Sequence, residues 1–204
     1  MKKIALLGDS LTAGWGLTEG RNWSDSLVSK FPEVQFTNLG IPGDTTTGML
    51  SRFQQQVIEQ QPDIVVIFGG LNDLNWDTPI NEVACNYNSM IAQAQHHNIQ
   101  PVVMITSPID PVGSLPLFSH QQATVTRIRD AIEALSTEHS KRLVTMYGHG
   151  PFGIEVVDIY QAFEAYAREH GHTALYQNDG IHLSAIGANV IFEQLQGIIA
   201  KLIR

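Results

Sequence analysis

The stretch that most limits what this chain can fold into is Asp63–Phe68, reading DIVVIF, every residue after the first β-branched or aromatic. A strand that is apolar on both faces must be covered on both faces, which is the pattern of a central strand in a parallel sheet. Four comparable runs surround it: Lys3–Leu7, Val34–Leu39, Pro101–Thr106 and Ile154–Ile159. Helical patterns separate them. Trp23, Leu27 and Phe31 fall on one face at i, i+4, i+8 within Asn22–Phe31, and Met49, Leu50, Phe53 and Val57 form a stripe within Thr45–Glu59. Thr78-Pro79 opens a third helix, with Pro at the first helical position, carrying Val83, Tyr87, Met90, Ile91 and Ala94 to an end near His97-Asn98. Ser119 to about Leu135 reads as helix and Gln161–Glu169 as a short one, with Leu143–Met146 open to either helix or strand. Ser184 caps a last helix whose Ile186, Val190, Ile191, Leu195, Ile198 and Leu202 are expected to face inward. Five buried strands alternating with helices predict a doubly wound α/β fold, a five-stranded parallel sheet with helices on both faces.

Nothing in the 204 residues marks a linker or repeat, so a single domain over residues 1–204 is expected. Twelve Lys and Arg against twenty Asp and Glu give a net charge of −8, which argues against nucleic acid and anionic membranes as partners. The single cysteine, Cys85, excludes an internal disulfide and a multi-thiolate metal site. No apolar run reaches the ~18 residues of a membrane span, and the apolar stretch after Met1-Lys2-Lys3 is too short for a signal peptide. A cytoplasmic protein with no stable membrane association is the resulting expectation.

In doubly wound sheets ligands bind beyond the carboxyl ends of the strands, so the turns there are where chemistry belongs. Strand one runs into Gly8-Asp9-Ser10-Leu11-Thr12-Ala13-Gly14, which offers a serine hydroxyl at the sheet edge. It is neither a phosphate loop nor a G-x-S-x-G elbow. Strand two runs into Gly40-Ile41-Pro42-Gly43-Asp44, where the Gly43 N–H can donate into the cleft. The central strand ends in Gly69-Gly70-Leu71-Asn72-Asp73, bringing an uncharged amide donor to the same edge. Before the last helix, Asp179-Gly180-Ile181-His182 places a carboxylate within reach of an imidazole N–H. Each turn alone is an ordinary loop sequence. Together they supply what acyl transfer needs: a nucleophile, two neutral donors and an Asp–His pair. The remaining histidines match no metal motif; His170-Gly171-His172 comes nearest, and a helix end accounts for it.

These four blocks, in this order, resemble the SGNH (GDSL-type) hydrolases: Gly8-Asp9-Ser10-Leu11, Gly43-Asp44, Gly70-Leu71-Asn72-Asp73 and Asp179-x-x-His182. The run from Gly8 to Leu17 is most similar to the compact bacterial esterase, lysophospholipase and thioesterase branch. The resemblance implies Ser10 as nucleophile, His182 as general base, Asp179 as its orienting acid, and an oxyanion hole from the N–H groups of Ser10 and Gly43 and the amide of Asn72. It implies no metal or organic cofactor. Asp9 is expected to order the nucleophile turn rather than to serve as the triad acid. Leu11, Trp15, Leu17, Asn75, Trp76 and Pro108–Pro116 are candidates for lining an acyl groove. The implied substrate is a small-molecule acyl ester, small or flexible, with a lysophospholipid or thioester included. The runner-up is a carbohydrate O-acetyl ester, and the non-enzyme rival is a ligand-binding module that retains the cleft.

Overall fold

The computed structural model describes residues 1–110 and 154–204. The elements are β1 (Lys3–Gly8), α1 (Ser10–Ala13), α2 (Trp23–Lys30), β2 (Gln35–Gly40), α3 (Thr46–Gln56), β3 (Ile64–Phe68), α4 (Leu71–Asn75), α5 (Ile80–His96), β4 (Gln100–Ile105), β5 (Glu155–Asp158), α6 (Ile159–His170) and α7 (Ala185–Leu202). Short 3-10 turns follow α3 and α6. The strands form one parallel sheet in the order β2-β1-β3-β4-β5. The order reverses at β1, so the ends of β1 and β3 flank a switch point, the place where such sheets bind ligands.

The residues singled out as helix stripes make the core. Trp23 and Leu27 of α2, Met49 and Phe53 of α3, and Val83, Tyr87, Met90, Ile91 and Ala94 of α5 are buried against the sheet. Each large apolar side chain so buried contributes about 1.5–3 kcal/mol. Every residue of β3 is buried, as expected of the central strand. The expectation of five strands covered on both faces holds less well at the sheet margins. β2 is an edge strand with Gln35, Thr37 and Asn38 exposed, and β5 is only partly buried.

Local differences have local causes. Thr45 caps α3 by accepting the Gly48 N–H, and Pro79 takes the cap position of α5 instead of its first turn. Ser184 caps α7 as expected, accepting from the N–H groups of Ile186 and Gly187. Ile186 nevertheless points outward, 44% exposed. The inward places of that first turn belong to Gly187 and Ala188, because a Cβ on Gly187 would stand 2.1 Å from the Leu175 carbonyl oxygen. The helix expected from Ser119, the open assignment of Leu143–Met146 and most of the loop after β4 lie outside the described residues.

Candidate active site

The turn that carries Ser10 begins as a helix start. Asp9 is the N-cap of α1, its Oδ1 accepting the Leu11 N–H at 2.9 Å. Ser10 therefore occupies the first helical position, where a backbone N–H has no acceptor within its own helix. The turn is braced from behind. Asn22 and Asn38 both donate to the Thr12 carbonyl at 2.8 Å, and the Trp23 indole N–H donates to the Leu11 carbonyl. The Asp9 carboxyl is almost fully buried. Loss of hydration pushes its pKa up to about 7; the Leu11 N–H opposes that shift and the nearby charges of Asp44 and Asp73 add to it. This matches the turn-ordering role expected of it.

On the opposite wall, Asp179 and His182 share a turn tied to itself. Asp179 Oδ1 accepts the N–H groups of Ile181 and His182 at 2.9 Å each, leaving Oδ2 2.6 Å from His182 Nδ1. A carboxylate only accepts, so in neutral His182 the proton sits on Nδ1. Nε2 is then an acceptor, 3.2 Å from Ser10 Oγ. Burial works against the Asp179 charge, but hydrogen bonds from the His182 ring and the two N–H groups outweigh it and hold the pKa below the usual carboxylate value. Further ties fix the turn: Gln177 N–H donates to the His182 carbonyl at 2.7 Å, and Asp110 N–H donates to the Gly180 carbonyl at 2.8 Å. The Gln177 side-chain amide reaches the carbonyls of both Trp15 and Leu183.

The two outer donor candidates meet at Asp44. Asn72, near the start of α4, donates through Nδ2 to the Asp44 carbonyl at 2.9 Å and lies 3.5 Å from Asp9 Oδ2. One amide proton is thus committed and the other only loosely held. Gly43, just before Asp44, has φ +80°, a conformation that other residues adopt at a cost, while a Cβ there would meet nothing within 4 Å. Backbone angle, not crowding, requires glycine. Beneath them Asp73 is fully buried and accepts the Thr46 N–H at 2.8 Å and hydroxyl at 2.6 Å. Asn86 donates to that same hydroxyl and to the Thr47 hydroxyl, both at 3.0 Å. Burial raises the Asp73 pKa against the pull of the two Thr46 bonds. Thr46, Asn86, Asn22, Asn38 and Gln177 escaped the sequence reading. Asn86 did leave a trace, as a polar residue between Val83 and Tyr87 on an otherwise apolar stripe.

Among the groove candidates, Leu11 is 2% exposed and belongs to the core, which removes it from any surface groove. Leu17 packs partly against that core. Trp15 is 56% exposed, its ring centroid 6.2 Å from that of His182. Asn75, at the end of α4, and Trp76, its C-cap, are exposed. Pro108 is buried and its carbonyl accepts the Tyr176 hydroxyl, while residues 111–116 lie outside the described ones. His170 and His172 turn toward Glu169 and Glu164 respectively. Among the described residues no group of three or more His, Cys, Asp or Glu could hold a metal, and no helix is long and apolar enough to cross a membrane.

Comparison with known proteins places this geometry in a context. Half of the chain, 107 residues, is 32% identical to an arylesterase of Vibrio mimicus, covering 54% of that protein's length. An uncharacterized lipoprotein of Bacillus subtilis (strain 168) is 26% identical over 95% of the chain and 87% of its own length. The crystal structure of the lipase/acylhydrolase from Enterococcus faecalis superposes with a TM-score of 0.70 at 25% identity, covering 97% of each chain. The sequence model of the GDSL-like lipase/acylhydrolase family matches residues 6–190. A match of that span, over the fold and turns just described, means that the chain belongs to the GDSL-like lipase/acylhydrolase family.

Proposed function

We propose that this chain is a serine hydrolase of neutral carboxylic esters that works through an acyl-enzyme on Ser10. The observation that carries the reading is the relay Ser10 Oγ, His182 Nε2, His182 Nδ1 and Asp179 Oδ2, with gaps of 3.2 and 2.6 Å at the carboxyl edge of the sheet. Ser10 Oγ attacks the acyl carbonyl as His182 takes its proton. The tetrahedral oxyanion is held by the N–H groups of Ser10 and Gly43 and the more loosely held proton of the Asn72 amide. His182 then protonates the departing alcohol, and water, activated by the same base, releases the acid. Asp179 keeps the tautomer and stabilises the imidazolium. No step calls on a metal or organic cofactor.

A net charge of −8 disfavours anionic substrates such as acyl-CoA, so neutral esters are the first choice. The exposed ring of Trp15 beside His182 gives the acyl or alcohol group an apolar wall. The test is the hydrolysis rate of p-nitrophenyl esters from acetate to palmitate, with Ser10→Ala as control. Activity persisting to longer chains is expected and supports a lipid-like or thioester substrate. A sharp optimum at acetate would favour a carbohydrate O-acetyl ester. Turnover equal in the wild type and Ser10→Ala would sink the enzyme reading and favour a binding module. Cell fractionation tests the cytoplasmic expectation, against which the Bacillus relative's description as a lipoprotein weighs.

A further inference from the structure

Arg52 lies on α3 and took no part in the site as read from the sequence. Its side chain is only 11% exposed, and the guanidinium uses all three nitrogens. Nε donates to Asp44 Oδ2 at 2.8 Å, Nη2 to the Gly8 carbonyl at 2.9 Å and Nη1 to Gln56 Oε1 at 2.6 Å. Two of these acceptors flank the candidate oxyanion donors. Gly8 is followed by Asp9 and Ser10, so the Gly8 carbonyl sets where the chain enters the nucleophile turn. Asp44 follows Gly43 directly, and its own carbonyl holds the Asn72 amide at 2.9 Å. Every donor of the proposed hole is therefore within two residues, or one hydrogen bond, of a group that Arg52 grips.

We propose that Arg52 is a positioning residue of the ester hydrolase, clamping the Gly8 carbonyl to the Asp44 carboxylate so that the N–H groups of Ser10 and Gly43 and the amide of Asn72 converge on one point. The inference rests on the function proposed above. A planar fork with fixed donor directions suits such a clamp, since one guanidinium holds a carboxylate and a carbonyl at a set separation. An ammonium offers one nitrogen and cannot keep both in register. The clamp has a partial backup. The Ile41 N–H also donates to the Gly8 carbonyl at 3.0 Å, and Asp44 Oδ1 accepts the Thr45 N–H at 3.0 Å. Without Arg52 the donors lose their common aim rather than their presence. A displacement of the order of 1 Å in such a site costs about 10²-fold in rate, which bounds the effect from above.

The experiment compares Arg52→Gln, Arg52→Lys, Asn72→Ala and the Arg52→Gln/Asn72→Ala double variant on p-nitrophenyl acetate, with thermal melting of each. A second readout is inhibition by a trifluoromethyl ketone, whose hydrated or serine-bound form mimics the oxyanion. Arg52→Gln is expected to lower kcat by about 10–100-fold. KM should move by less than about threefold, while the ketone Ki rises by the same factor as kcat falls. In the Asn72→Ala background the Arg52 effect should be clearly smaller than in the wild type, because the part of the damage that passes through the Asn72 amide is already gone. A folded Arg52→Gln with wild-type kcat, or an equal fold-loss in both backgrounds, overturns the proposal. If Arg52→Gln does not fold, Arg52→Lys decides: it keeps a cation beside Asp44, and wild-type kcat and ketone Ki there also overturn it. Failure of the underlying function looks different, since the wild type itself would then show no Ser10-dependent turnover.

Discussion

The two walls of the site are built by opposite means. The wall bearing Asp179 and His182 is local: the residues are three apart, the carboxylate is held by N–H groups of its own turn, and both side chains are partly open to solvent. The wall bearing the candidate oxyanion donors is assembled from distant parts. Thr46 meets Asp73 across 27 residues, Asn86 meets Thr46 across 40, and Arg52 meets Gly8 across 44. Under the proposed mechanism the local wall moves a proton, whereas the assembled wall must not move, because fixed donors stabilise an oxyanion without reorganising when charge appears.

This contrast sets an order of sensitivity. On the local wall, Asp179→Asn should lower kcat by about 10⁴ through the wrong His182 tautomer, with little change in melting temperature. A loss under tenfold would show that the turn, not the carboxylate charge, orients the ring. On the assembled wall, Asn72→Ala should lower kcat by about 10²–10³ with KM nearly constant. A kcat within about threefold of wild type would take Asn72 out of the hole.

Below these come effects on stability. Thr46→Val strips a hydroxyl from the buried carboxylate of Asp73 and from Asn86, and should cost about 2–3 kcal/mol in urea unfolding, whereas Thr46→Ser should cost less than half as much. Equal losses in the two variants would assign the effect to packing. A last effect separates the walls by pH. Asp9, with its pKa raised to about 7, keeps in the folded state a proton that the unfolded chain releases near pH 4. Stability from Asp9 is therefore complete below pH 4 and declines as pH rises toward 7, by at most about 1.4 kcal/mol per pH unit. Asp179 has its pKa lowered, so its contribution is present above pH 4 and lost as pH falls further. Asp9→Asn should flatten the decline between pH 5 and 7, as measured by urea titrations across pH; an unchanged slope would place the titrating group elsewhere.

The same contrast explains what could be read in advance. The strands, the helix stripes and the Asp179–His182 pair rest on short periods and near neighbours, and the residues alone report those. Asp73, Thr46, Asn86 and Arg52 meet only after β1, β3 and three helices have packed, and no spacing announces a contact made across a sheet. Leu11 and Ile186 went astray for a related reason. Adjacency to Ser10 placed Leu11 near the groove, although a helix turns its second residue well away from its first. Apolarity placed Ile186 inside, although a close approach to the Leu175 carbonyl had reserved that place for glycine.

Ser10 and His182 stand 172 residues apart in the chain. Closing so long a loop adds little thermodynamic cost, because each doubling of length adds only about 0.6 kcal/mol. In time the separation matters more. At the usual pace of synthesis, Ser10 leaves the ribosome roughly 10–30 s before His182. Throughout that interval the proposed nucleophile has no base beside it, and the proposed mechanism keeps a nascent chain silent toward the esters around it. Under the proposed mechanism, appearance of activity is a clock that reads the arrival of the last helix.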